Sequence, residues 1–165
     1  VRHWTVAGAL IRHDDGLVLV ANRRRDGSVD WTPPGGVIDE GETVREGLAR
    51  EVVEETGLRI RSWRRCAYRV EVEAPELAWV LRVEAWEVEA AGTISIDDPD
   101  GIVEHVRGVR ADEARRLMLA SPLWIQVPVG HWLDGCVGCP GPDADLFRFR
   151  LHGADRETAR AELLP

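Results

Sequence analysis

Lysine is absent from this 165-residue chain, and all 21 of its basic side chains are arginine. With abundant alanine, glycine and valine, that bias reads as a GC-rich coding sequence rather than as a mechanism. Cysteine is scarce: three residues do not make an extracellular disulfide framework. No apolar run reaches the roughly 20 residues that a spanning helix needs, and no segment reads as a signal peptide. The expectation is a cytoplasmic protein with no membrane partner. The chain begins at Val1 without a methionine, so a trimmed N-terminus is expected. Positive charge is outweighed, with 29 acidic residues, a net charge of −8 and a pI near 5.1. Such a surface argues against long nucleic acid as a partner. It leaves room for a small phosphorylated ligand, because a bound metal ion reverses the local sign.

What is present is enough for a single domain with a core, and short for two. The informative segment runs from Gly36 to Leu58. It reads G-x5-E-x7-R-E-U-x-E-E-x-G-U, with U aliphatic, through Gly36, Glu42, Arg50, Glu51, Glu54, Glu55, Gly57 and Leu58. Thr43 and Glu46 form a T-x-x-E capping box, which predicts a helix starting at Thr43. Val44, Leu48 and Val52 give that helix an apolar side. Glu51, Glu54 and Glu55 stand at i, i+3 and i+4, so their carboxylates converge on one patch. Their mutual repulsion is relieved by a cation, and all-oxygen donors favour Mg2+ or Mn2+ over Zn2+. Gly57 is a natural helix stop. Ahead of the helix, Thr32-Pro33-Pro34-Gly35-Gly36 makes a rigid turn whose glycines let backbone approach a phosphate or a metal. A solvated acidic face is the ordinary reading of an isolated E-x-x-E-E, but not with the flanking residues in register.

Those residues together resemble the signature of the Nudix hydrolases, and the resemblance covers about residues 2 to 120. It implies an α+β fold, the Nudix α/β/α sandwich with a mixed sheet, followed by a C-terminal extension over 121–165. It also implies hydrolysis of a nucleoside diphosphate linked to another moiety, with a small nucleotide as substrate. On this resemblance Glu51, Glu54, Glu55 and the main-chain carbonyl of Gly35 would hold the divalent ion. Arg50 would orient the carboxylates. Gly36 and Glu42 would border the substrate, with Glu42 weakly linked to the metal. Water attacks phosphorus, and a nearby carboxylate acts as general base. Glu54 is the first candidate. A later loop is the other source of an acid, with Glu104 preferred and Asp97, Asp98 and Asp100 as rivals. Arg23, just after the second predicted strand, is the expected phosphate contact, against an ordinary surface arginine. A catalytically silent nucleotide-binding protein of the same fold is the alternative, but such proteins usually carry a broken acidic set. Enzymes acting on isoprenoid diphosphates would need a paired Cys and Glu, which Cys66 alone does not supply. The substrate is not resolved: Pro75 lies near, but not at, the place where ADP-ribose enzymes carry a proline, and a hairpin turn explains it equally.

Along the chain, Trp4 to Arg12 and Leu17 to Ala21 read as paired strands around a His13–Gly16 turn. Arg59 to Glu73 and Leu77 to Glu89 read as a second hairpin. Asp97 to Gly101 is a polar loop, Ile102 to Val109 a strand and Asp112 to Leu119 a helix. Beyond these, Leu123 to Val129 and Leu146 to Leu151 are expected to be strands, and Asp155 to Leu164 a terminal helix. The extra strands are expected to offer a homodimer interface. Among the seven tryptophans, the odd spacing of Trp79 and Trp86 places them on opposite faces of one strand, one as core and one open to a base. Trp4, Trp31 and Trp63 read as core or rim. Cys66 and Tyr68 read as structural. Cys136 and Cys139 form a C-x-x-C with His131 and His152 nearby. Ordinary thiols in the Gly130–Pro142 loop is the favoured reading, ahead of a zinc site or a redox disulfide.

Overall fold

In the computed structural model, residues 1–13, 16–135, 145–155 and 159–165 are described. β1 (Arg2–His13) alternates between two faces of a mixed sheet. Ala7, Ala9 and Ile11 enter one core cluster and Leu10 the other. β1 also changes partners along its length. Val6, Ala7 and Gly8 pair with β4 (Gly35–Val37), whereas Arg12 and His13 pair with β2 (Gly16–Arg23). The sheet therefore splays where β3 (Val29–Thr32) leads into β4, and the candidate site lies in that splay.

Helix α1 (Val44–Thr56) forms as its capping box requires. Thr43 Oγ1 accepts from the Glu46 amide, and the Thr43 amide donates to the Glu46 carboxylate. It stops at Gly57, which takes a left-handed φ of 75°. Leu48 and Val52 are fully buried against Ala7, Ala9 and Ile11. β5 (Arg59–Ala74) and β6 (Trp79–Ala91) form the long second hairpin, turned by a 3-10 segment at Pro75–Leu77. β6 lies parallel to β1, and β7 (Val103–Val109) pairs with β2. α2 (Ala111–Leu117) then packs on β2. Trp79 joins one cluster beside Trp4, and Trp86 the other beside Trp63, so the expected opposition of faces holds.

Two elements of the extension differ from expectation. Leu123 to Val129 is not a strand but the first part of α3 (Leu123–Leu133). Its apolar run, broken only by Gln126, carries no decisive period. Pro122 leads it into the helix, and Trp132 anchors it to the sheet through a 2.6 Å bond from Nε1 to buried Glu87. β8 (Asp145–His152) is a strand as expected, parallel to β5. Of the expected terminal helix over Asp155 to Leu164, residues 156–158 lie outside the described residues, and the rest holds β9 (Arg160–Leu163), antiparallel to β8. A short isolated helix is marginal, and the ready edge of β8 outweighs helix propensity here. Cys136 and Cys139 lie outside the described residues. Their suggested zinc partners are otherwise engaged, His131 with Asp145 at 3.3 Å and His152 with Glu162 at 2.8 Å. Cys66 is half-buried, and burial pushes its thiol up from the ordinary range.

Candidate active site

Helix α1 presents its acidic side to the edge of β4, and Arg50 organises it. The guanidinium grips Glu42 with two bonds, Nε to Oε1 and Nη2 to Oε2, each 2.9 Å. Its Nη1 donates to Glu51 at 2.8 Å and to Glu54 at 3.3 Å, and Nη2 also reaches the Val37 carbonyl. One planar cation thus fixes three carboxylates and the strand beside them, which a lysine could not match in geometry. These bonds and the Asp39 amide hold the Glu42 carboxyl down to about 2.

The Gly35-Gly36 pair is required by crowding. A Cβ on Gly36 would stand 2.6 Å from Glu51 Cδ, and one on Gly35 would stand 2.0 Å from the Ala7 carbonyl oxygen. Gly35 also has a φ of 150°, in the range that favours glycine. Its amide donates to Glu55 Oε2 at 2.8 Å, which ties the strand to the helix. Burial raises the Glu55 carboxyl to about 8, and the charges of Glu51, Asp98 and Glu54 add to that rise against the Gly35 bond. Burial likewise raises Glu51.

The loop after β6 is tied down onto the end of α1. Ser95 and Asp97 amides donate to the Thr56 and Glu54 carbonyls, each at 2.9 Å. Asp98 spends its carboxylate on the amides of Asp100, Ile102 and Val103. Asp98 and Asp100 both line the cavity; Asp98 is held by those amides, and the charge of Asp100 acts on Glu51. Glu104 is placed elsewhere: it pairs with Arg23, and neither residue lines the cavity. Arg24, not Arg23, faces it.

The cavity has a volume of about 740 Å3 and continues from the acidic patch past β4 towards α3. Its lining there includes Tyr68, Val70, Leu81, Val83 and Trp124. Sequence reasoning named neither Trp124 nor the polar group formed by Asn22, Arg24 and Asp30. Two signals were available: Asn22 is the chain's only asparagine, and Gly8 interrupts an otherwise well-filled strand.

The donor set suits a hard divalent cation. Oxygen ligands alone are gathered here, and two of the carboxyls are raised by burial with like charges beside them. Among the described residues, no three His, Cys, Asp or Glu side chains yet close on one point as a finished cage.

The family model described as NUDIX domain matches residues 1–128, and the chain belongs to that family. A MutT-like protein of Streptomyces ambofaciens is 46% identical over 56 residues, 34% of each chain. An RNA pyrophosphohydrolase of Sphingopyxis alaskensis is 42% identical over 52 residues, 32% of this chain and 33% of its own. The chain therefore matches about a third of the length of these relatives. Among solved structures, a NUDIX hydrolase from Nitrosomonas europaea superposes with a TM-score of 0.70 at 19% identity, covering 81% of this chain and 90% of that one. A MutT protein from Bacillus halodurans gives 0.67 at 19% identity and covers 97% of both. These likenesses show the fold.

Proposed function

We propose that the protein hydrolyses the diphosphate bond of a nucleoside diphosphate derivative, with Mg2+ or Mn2+ as cofactor. The observation that carries this reading is the gathering by Arg50 of Glu42, Glu51 and Glu54 beside a Glu55 bonded to Gly35. Glu51, Glu54, Glu55 and the Gly35 carbonyl would hold the cation. When bound, the ion supplies neutralisation of the diphosphate charge and a more acidic water.

The remaining work falls to the chain's own groups. Arg50 fixes the carboxylate orientations before substrate arrives, so little reorganisation is left for the reaction. Glu54 takes the proton of the attacking water. Its side chain is partly exposed, and Oε2 is held by Arg50 only at 3.3 Å. Asp100 is the loop carboxylate we assign to the site in place of Glu104. It would orient that water or share the metal. Gly36 lets substrate pass close to the backbone beside Glu51. Arg24 stands at the cavity wall, where Arg23 does not, with its guanidinium bound to Asp30.

The names of the relatives span RNA pyrophosphohydrolase, MutT-like protein and putative 8-oxo-dGTP diphosphatase. The first and last of these name a pyrophosphate or diphosphate activity and differ in the substrate they name. The test is release of phosphate-containing products from nucleoside triphosphates, ADP-ribose, nucleotide sugars, dinucleoside polyphosphates and a 5′-triphosphorylated oligoribonucleotide, each with Mg2+, Mn2+ or neither. Metal-dependent cleavage of one class is expected. Folded protein that cleaves none of them, with either ion, would contradict the proposal.

A further inference from the structure

The group attached to the diphosphate is addressed by the far part of the cavity, an inference that rests on the hydrolase reading. Val70, Leu81 and Val83 form its floor, and Trp124 and Ile125 approach from α3. Gly8 lies in the same floor, paired with Ala85 on one side and Gly35 on the other. A Cβ on Gly8 would meet no atom within 4 Å. Packing therefore does not demand this glycine, unlike Gly35 and Gly36. A bare backbone in a strand interior leaves room for something to lie flat against it.

The polar side of the lobe is held in one orientation. Asn22 is 6% exposed and lines the cavity. Both donors of its amide are occupied, by Asp30 Oδ1 at 3.3 Å and by Thr32 Oγ1 at 3.0 Å. Asp30 is itself gripped by Arg24, through bonds of 2.8 and 2.9 Å. With a carboxylate fixed against the amide nitrogen, the amide cannot flip without facing oxygen to oxygen. Among the described residues the Oδ1 atom accepts no hydrogen bond. The lobe therefore offers a mostly apolar slot with one fixed acceptor, and it lacks the many hydroxyl partners that a second sugar would need.

We propose that this lobe takes a planar nucleobase, laid over Gly8 and against Trp124, and that Asn22 Oδ1 selects bases whose edge presents an N–H donor. Asn22 is then a specificity-determining residue, and Asp30 and Arg24 are positioning residues that act through it. A site built to bond a donor rejects the analogue lacking it, because the acceptor is left unpaired.

The test is calorimetric binding of the 5′-diphosphates of guanosine, adenosine and unsubstituted purine riboside, whose ring carries no N–H donor. Wild-type protein should bind at least one donor-bearing nucleotide about tenfold or more tightly than purine riboside diphosphate. Asn22→Ala should bring that ratio close to one. Gly8→Val builds into the lobe from another strand than Asn22, and it should weaken nucleotide binding about tenfold relative to inorganic pyrophosphate with Mg2+. Equal wild-type affinities for all three diphosphates would overturn the selection, and unchanged nucleotide binding by Gly8→Val would overturn the placement. Hydrolysis without base discrimination would sink this inference and spare the hydrolase reading. Base discrimination with no hydrolysis under any metal would do the reverse.

Discussion

Glu55 carries two demands that conflict in the metal-free protein. It is buried beside Glu51 and Glu54, and its carboxyl is raised to about 8 from an ordinary 4.5. Between those values the folded chain keeps a proton that the unfolded chain has released. Its contribution to stability is therefore complete below about 4.5 and is lost as pH rises to about 8. Thermal unfolding of metal-free protein should show Tm falling across that window. Glu55→Gln should flatten the fall, and Mg2+ at pH 8 should restore several degrees by binding the folded state. A Tm independent of pH would contradict the assignment. The acidic positions were legible because helical spacing alone brings i, i+3 and i+4 together. The pairing of Glu104 with Arg23 was not, since it depends on how β7 registers against β2. The same holds for Asn22 and Asp30, which meet only because β2 and β3 align them as direct partners.

At the scale of elements, α3 is fastened to β6 by a buried polar contact, while His131 with Asp145 and Arg115 with the Gly130 carbonyl hold the same C-terminal end. Trp132 Nε1 donates to Glu87, which also receives Arg65, and Arg12 lies over the Trp132 ring at 4.6 Å from its centroid. Burial alone would raise the Glu87 carboxyl, yet Arg65 and Trp132 hold it below the usual range. Trp132→Phe keeps much of the packing and removes the donor. It should cost about 1–3 kcal/mol, read as a drop in denaturation midpoint at unchanged slope. No change would show that packing, not the bond, holds α3. Gly57→Ala tests the other helix end. It combines a φ of 75° with a Cβ that would sit 2.7 Å from the Ser95 amide nitrogen. A loss of about 2 kcal/mol or more is expected, with the Asp97–Gly101 loop displaced. Capping residues made α1 readable from sequence. The elements after α2 lack such punctuation: a mainly apolar run without a side-chain cap became α3, and a sheet edge recruited β9.

Over the whole molecule, one arrangement links fold to chemistry. β1 shares its edge between β4 and β2, and the opening between them joins the acidic face of α1 to the lobe beneath α3. α3 thus supplies a wall of the cavity, and β8 and β9 continue the sheet. β9 ends the described sheet; of the two strands on which a homodimer interface is expected, Leu123–Val129 is helical and Leu146–Leu151 lies in β8 between β5 and β9. Sedimentation equilibrium decides whether a dimer forms: about twice 18.4 kDa would support the dimer, and 18.4 kDa would remove it. The central claim, that the carboxylates gathered by Arg50 perform metal-dependent hydrolysis, is tested most directly by titrating Mg2+ into wild type and Glu54→Gln on the substrate the panel identifies. Wild-type turnover should rise to saturation, and the variant should remain folded while losing turnover by about 10²–10⁴-fold. Near-normal turnover in the variant, or turnover indifferent to metal, would contradict the account.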